Sequence, residues 1–311
     1  MPPDASASSA AEAVDRVLTP AFLGHLGRMR LNVRRAFGPR PGDTPVRGLV
    51  QQGGLELERH KEYGHGDELR HLDWNAYARL DQLLVRQFRA EREAPVHVFV
   101  DASASMDTPG GDGKLSFAAG LALALAYVAV RHHNPTRIVV LADGGEGHRA
   151  SPVVRFPARL PILSEICASL RGGGPTTLER GVGSYVRAQT TPGLALLISD
   201  FLIEPDSARD VLRLLAARGY EVAAFRPIGP GERDPSSLFQ RARVRDAEDG
   251  QEKIVRLTPA NLARYQEALA EHLADLERWC TENEGVFTAC DTGAGLEHCL
   301  FTRLPQLGVL R

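Results

Sequence analysis

Asp101, Ser103 and Ser105 stand at alternate positions in the run D-A-S-A-S-M. One carboxylate and two hydroxyls at this spacing can converge on a hard cation, which takes oxygen ligands and no thiolates. The same residues could instead form a serine-rich loop capping the next helix. Two further donors come at intervals suited to other strand ends. The stretch G-G-G-P-T-T-L puts Thr176 and Thr177 after a glycine loop, and L-A-L-L-I-S-D closes an apolar run on Asp200. Two carboxylates and three hydroxyls make a weakly negative ligand set. A bound Mg²⁺ (or Mn²⁺) would keep residual positive charge and an open position, able to take a carboxylate from a partner protein.

The elements that must position these donors show in the flanking pattern. Residues 96–100 are a short β-branched apolar run bounded by Pro95, as in a central strand of a parallel sheet, and Asp101 falls at its C-terminal end, where open α/β sheets bind ligands. Residues 137–143, 194–198, 220–225 and 286–290 read as further strands. Residues 115–130 are uncharged. They fall short of the ~20 residues of a membrane span and read as a buried crossover helix. Helical spacing recurs over 160–170, 177–188 and 206–218, and Thr258-Pro259 caps a long helix to Glu282, ended by Gly285. Residues 152–156 suit a short antiparallel edge strand, and 244–255 a hairpin around Asp249-Gly250. The alternation predicts an α/β fold, a mostly parallel sheet with helices on both faces.

The chain has 311 residues, 43% hydrophobic and 24% charged, with a formal net charge of −2. No bulk charge points to nucleic acid, and no stable membrane insertion is expected. Cys167, Cys280, Cys290 and Cys299 show no C-x-x-C spacing and read as reduced structural thiols, so a cytoplasmic setting is expected. Residues 1–11 are rich in Pro, Ser and Ala without the apolar core of a signal peptide, and a disordered tail is expected over 1–18. Thr19-Pro20 opens a helix over 20–37 carrying Arg28, Arg30, Arg34 and Arg35, a basic face that is solvated or acid-paired. Residues 107–114 read as a flexible rim, with Asp107 and Asp112 facing solvent.

The set D-x-S-x-S, loop threonine and strand-end aspartate resembles the metal-ion-dependent adhesion site of von Willebrand factor A domains. The family's G-x-T-x-L spacing falls on Gly174, Thr176 and Leu178. The resemblance implies that Ser103 and Ser105 ligate the metal directly, that Thr176 and Asp200 join directly or through water, and that Asp101 acts through water. A second pattern lies upstream: Gly64, Gly66, Asp67, Arg70, Asp73, Trp74, Ala78 and Arg79, then Val85, Arg86 and Phe88 on an outer strand over 83–93. Physically it is an ion-pair and Trp clamp holding an appendage on the sheet, or else a contact surface using Arg70, Arg79 and Arg86. G-x-G-D-x-x-R-x-x-D-W-x-x-x-A-R followed by V-R-x-F and the D-x-S-x-S strand resembles the bacterial family called domain of unknown function fifty-eight. That resemblance implies von Willebrand A-like (Rossmann-type) proteins that partner MoxR-type AAA+ ATPases.

The expected organisation is a tail (1–18), an N-terminal α+β appendage (19–92) and a von Willebrand A-like domain (93–311) with a small β insertion near 229–257. The expected function is a metal-dependent protein-binding module, adaptor or chaperone-like, working with a MoxR-type ATPase on a client with an acidic loop. No small-molecule substrate or enzyme activity is expected. The chain carries no G-x-x-x-x-G-K-[ST] and should not hydrolyse nucleotides by that route. Two alternatives compete: a scaffold with a vestigial metal site, and a metal-dependent phosphatase using Asp101 as nucleophile. The phosphatase lacks an acid two residues on, where Ser103 stands, and its only nearby lysine, Lys114, falls in the flexible rim.

Overall fold

Residues 9–33, 56–64, 72–89, 94–107, 112–141, 147–175, 178–189, 191–235, 241–245, 252–256 and 258–311 are described by a computed structural model. In chain order the elements are α1 (Ala10–Val17), α2 (Pro20–Leu26), β1 (Glu56–Glu62), α3 (Trp74–Leu80), β2 (Leu84–Arg89), β3 (Val96–Asp101), α4 (Lys114–Arg131), β4 (Thr136–Leu141), β5 (His148–Ala150), α5 (Leu160–Ala168), α6 (Leu178–Ala188), β6 (Leu194–Ile198), α7 (Pro205–Ala217), β7 (Glu221–Ile228), α8 (Pro230–Arg233), β8 (Arg241–Arg245), β9 (Glu252–Arg256), α9 (Pro259–Glu282) and β10 (Val286–Asp291). Short helical turns follow over 296–306.

Six strands form one mixed sheet in the order β10-β7-β6-β3-β4-β5, parallel throughout except where β5 meets β4. The chain leaves β3 for β4 and β5 on one side, then returns to β6 and steps outward through β7 to β10. Strand order therefore reverses between β3 and β6, where open α/β sheets form a ligand crevice. Side chains alternate along the strands between two cores, as the two-residue period requires. Val96, Val98, Val100, Leu196 and Ile198 join a core with α1, α2, α4, α5 and the C-terminal turns, whereas Phe99, Ala195 and Leu197 face α6, α7 and α9. Both faces of the sheet are thus covered, as the strand–helix alternation predicts.

α4 is apolar all round because it is enclosed all round, packed against the sheet on one side and α1 and α5 on the other. By length and composition it could cross a membrane, yet 83% of that window is buried inside the fold. His132 then caps it at the C-terminal end, and its ring Nε2 lies 2.9 Å from Met29 O. Thr258 accepts the Asn261 amide at 3.2 Å and opens α9 where the Thr-Pro pair predicts.

Two compact units divide the chain, Met1–Arg35 with Ala94–Arg311 and, separately, Ala36–Glu93. This corrects the expected boundaries. Ala10–Val17 is a helix, not tail: Ser9 and Glu12 form a capping box, and Ala10, Val14 and Val17 bury against α4. The helix expected over 20–37 ends at Leu26. The chain then pairs with the C-terminal segment, Arg30 and Arg311 exchanging backbone hydrogen bonds of 2.8 and 3.0 Å. Arg34 and Arg35 lie outside the described residues.

In the second unit the strand expected over 83–93 forms as β2, but it pairs antiparallel with β1 in a sheet of its own. Asp73 is buried and accepts the Ala76 amide at 3.1 Å, opening α3. Trp74 is 64% exposed and edge-on to Tyr77. Arg79 is exposed. Asp67 and Arg70, and the side chain of Arg86, lie outside what is described. The expected edge strand over 152–156 is displaced to β5, leaving Val154 in a single bridge to Thr136. The insertion hairpin forms as β8 and β9, its turn outside the described residues.

On the α6 face, His97 of β3 is buried, with Nδ1 2.7 Å from the Tyr185 hydroxyl and no hydrogen-bond partner for Nε2 among the described residues. Burial, aided by Arg137, pulls its pKa from 6.5 down to about 4. Between those values the unfolded chain binds a proton that the folded chain refuses, so stability falls as pH drops through this window. Denaturant titration at about pH 7 and about pH 5 should show His97→Gln losing about 2 kcal/mol less than the wild type between the two. Equal losses would refute a neutral buried imidazole.

Candidate functional site

Asp101 is the last residue of β3, and Asp200 lies two residues beyond β6. The pairing of Val100 with Ile198 brings Ser199 alongside Asp101, and its hydroxyl donates to Asp101 Oδ2 at 2.6 Å. Asp101 Oδ1 accepts the Ser103 amide at 3.0 Å. Ser103 precedes a 3-10 turn, Ala104–Met106, that carries Ser105, and the two hydroxyl oxygens are 3.1 Å apart. The glycine loop is fastened to this turn: Ala104 N donates to Gly174 O at 3.0 Å, and Gly173 N to Ala102 O at 3.1 Å. Gly172 donates to Asp107 Oδ2 at 3.0 Å, and a Cβ there would fall 2.2 Å from Asp107 Cβ. Only glycine allows that approach. Four of the five expected donors are thus placed at neighbouring strand ends. Thr176, with Thr177, lies outside the described residues.

Asp101 is 1% and Asp200 2% exposed, so water screens neither. Burial first, and then the Asp200 charge, push Asp101 from 3.8 up to about 6. The balancing cation is Lys114, whose Nζ lies 2.6 Å from Asp200 Oδ2. This corrects the flexible-rim expectation, because Lys114 is the first residue of α4 and only 6% exposed. Behind it, fully buried Arg226 donates Nε to Asp200 O at 2.6 Å and forms an ion pair with Glu232. Asp112 is not turned to solvent either. Its two carboxylate oxygens accept the Gly231 and Glu232 amides, each at 3.0 Å, and so cap α8.

Among the described residues, no group of three His, Cys, Asp or Glu side chains is gathered as a metal cluster. The donors here are two carboxylates and two hydroxyls, an oxygen set suited to a hard cation. Neighbouring ligands around an octahedral ion with ~2.1 Å bonds are about 3 Å apart, close to the Ser103–Ser105 separation. After burial, the neighbouring Asp200 charge is the second cause of the upward push on Asp101, and a cation between the two carboxylates would relieve that part of it. On both counts the residues fit a small divalent ion.

The family model described as "protein of unknown function DUF58" matches residues 59–275, a span holding β3, the Ser103–Ser105 turn, Lys114, Asp200 and Glu232. The chain belongs to this family. Relatives of this DUF58 protein include uncharacterized proteins of Mycobacterium tuberculosis and Mycobacterium bovis, each 29% identical over 273 residues, covering 83% of this chain and 81% of theirs. Among solved structures, the conserved hypothetical protein BatB from Bacteroides thetaiotaomicron aligns with a TM-score of 0.41 at 16% identity, covering 69% of this chain and 98% of that one. An aerotolerance-related membrane protein from Bacteroides fragilis aligns at 0.40 and 15%, covering 68% and 99%.

Sequence reasoning missed Ser199, Arg226 and Glu232, and the part Lys114 plays beside Asp200. Lys114 did carry a signal, since a charge opening a mostly apolar helix is drawn toward the core with it and needs a buried partner. In the DUF58 protein Asp101→Asn removes one of two like charges and keeps an acceptor for the Ser103 amide. Metal-free stability at about pH 7 should rise by about 2 kcal/mol in denaturant unfolding. A fall would mean that hydrogen bonds to the carboxylate outweigh the repulsion.

Proposed function

We propose that this DUF58 protein is a protein-binding module of the von Willebrand factor A type, adaptor or chaperone-like, that docks a partner's carboxylate on a divalent ion. Asp101, Ser103, Ser105 and Asp200, with Thr176, would hold Mg²⁺ or Mn²⁺, and the ion when bound supplies a Lewis-acid contact for the incoming carboxylate. The observation that carries this reading is the pair of serine hydroxyls 3.1 Å apart, beside two strand-end carboxylates where the strand order reverses. The chain's own residues do the rest. Ser199 and the Ser103 amide orient Asp101, Leu202 N holds Asp200 Oδ1 at 3.2 Å, and the glycine loop fixes the turn bearing Ser105.

A MoxR-type AAA+ ATPase as working partner, and a client with an acidic loop, follow from the sequence resemblance and agree with a site that takes carboxylates. The reading places the protein in the cytoplasm, where its four buried cysteines stay reduced. Asp101 as a phosphatase nucleophile gains nothing from the geometry: it is almost wholly enclosed and both of its oxygens accept hydrogen bonds.

Calorimetric titration of metal-stripped protein with Mg²⁺ and Mn²⁺ tests the reading, beside Ser103→Ala and Ser105→Ala. The expected result is saturable binding of one ion, weakened at least about tenfold in each folded variant. An aspartate-bearing peptide should then bind only in the presence of metal. Absence of binding at millimolar metal would favour the vestigial-site scaffold.

A further inference from the structure

Lys114 stands between two carboxylates. Its Nζ is 2.6 Å from Asp200 Oδ2 and 3.7 Å from Glu232 Oε2. Glu232 Oε2 is buried and has no hydrogen-bond partner among the described residues, whereas Oε1 is held by Arg226. Arg226 in turn donates to the backbone oxygen of Asp200, so the four residues close a ring. The Glu232 end of the ring is fixed. Asp112 caps the Glu232 amide, and the Tyr265 hydroxyl of α9 donates to the Glu232 carbonyl oxygen at 2.6 Å. The lysine ammonium, on a flexible four-carbon stem, is the mobile member. A shift of about 1 Å would bring it from the Asp200 bond to a full charge-assisted bond with Glu232.

The Lys114 ammonium is the cation seated on Asp200. We infer that Lys114 is a resident cation which a divalent ion must displace from Asp200, and that Glu232 is the acceptor receiving the ammonium when the ion binds. Resting on the proposed metal site, this assigns that site a regulation by residues outside its ligand set. Asp200 can turn an oxygen to the ion without leaving a buried ammonium unpaired, because the vacant Glu232 oxygen takes over. Metal affinity then depends on Glu232, which supplies no ligand, and the dependence runs through Lys114.

A double-mutant cycle on the full chain tests this, with Mn²⁺ and Mg²⁺ titrated calorimetrically into metal-stripped wild type, Lys114→Met, Glu232→Gln and the double variant. Thermal unfolding without metal is the second readout. Lys114→Met should tighten Mn²⁺ binding about tenfold or more and lower the metal-free Tm, because Asp200 loses its cation. Glu232→Gln should weaken binding about three- to tenfold when Lys114 is present and have little effect when it is absent. Lys114→Gln, which keeps a donor toward Asp200, stands in if Lys114→Met fails to fold. Equal weakening by Glu232→Gln in both backgrounds would mean plain long-range charge and overturn the transfer. So would unchanged affinity in Lys114→Met while Ser103→Ala still weakens binding at least about tenfold, a result that spares the metal site itself. No binding by folded wild type and folded variants alike would end both.

Discussion

Two carboxylates buried side by side at the ends of adjacent parallel strands repel each other in a medium that screens poorly, and that repulsion sets what the surroundings must supply. Asp101 is met by the Ser199 hydroxyl and the Ser103 amide, and Asp200 by the Leu202 amide and the Lys114 ammonium. These groups come from three places in the sequence: the strand-end loops, the start of α4 and the residue before Asp200. Each position is fixed by the sheet, because β3 and β6 are neighbours and α4 is the helix that leaves the β3 loop. Removing any one of the donors would leave a buried charge with only one of its two partners and no water to replace the other, a costly case for buried ions.

The same pair explains why the loops around it are built as they are. Gly172 admits Asp107 at a distance no Cβ would allow, and Gly229 does the same for Asp112. Phe201, directly after Asp200, is held at φ +51, a backbone conformation unusual for an aromatic residue, with its amide bonded to Ser199 Oγ at 3.0 Å. Strain and close approach gather where the chain turns away from the carboxylates, as they do at sites constrained by chemistry more than by packing.

The strands of the main sheet were readable because their apolar runs are unbroken and end in polar clusters, and α9 because Thr258-Pro259 is a strong start signal. Three features were not, for separate reasons. The capping box at Ser9 and Glu12 was present in the sequence, but a Pro/Ser/Ala-rich setting outweighed it. Asp112 looked like solvent-facing rim, since its partners, Gly231 and Glu232, are more than a hundred positions away and no local pattern announces them. The exposure of Trp74 on α3 could not be read from its size. The site donors were legible as a spacing pattern. The cation that balances them was not, because Lys114 follows a Gly-rich stretch and its helix starts from Gly113 at φ +64 with no side-chain cap.

α4 owes its cover to both ends of the sequence. α1 lies on it from one side, and residues such as Leu296, Leu300 and Leu304 complete the same core from the other. On the ribosome, the 18-residue apolar helix is synthesised well before that last cover. At ordinary elongation rates the interval is on the order of ten seconds. Throughout it α4 lacks part of the apolar cover that residues such as Leu296, Leu300 and Leu304 supply, and α1, made earlier, is the cover already at hand.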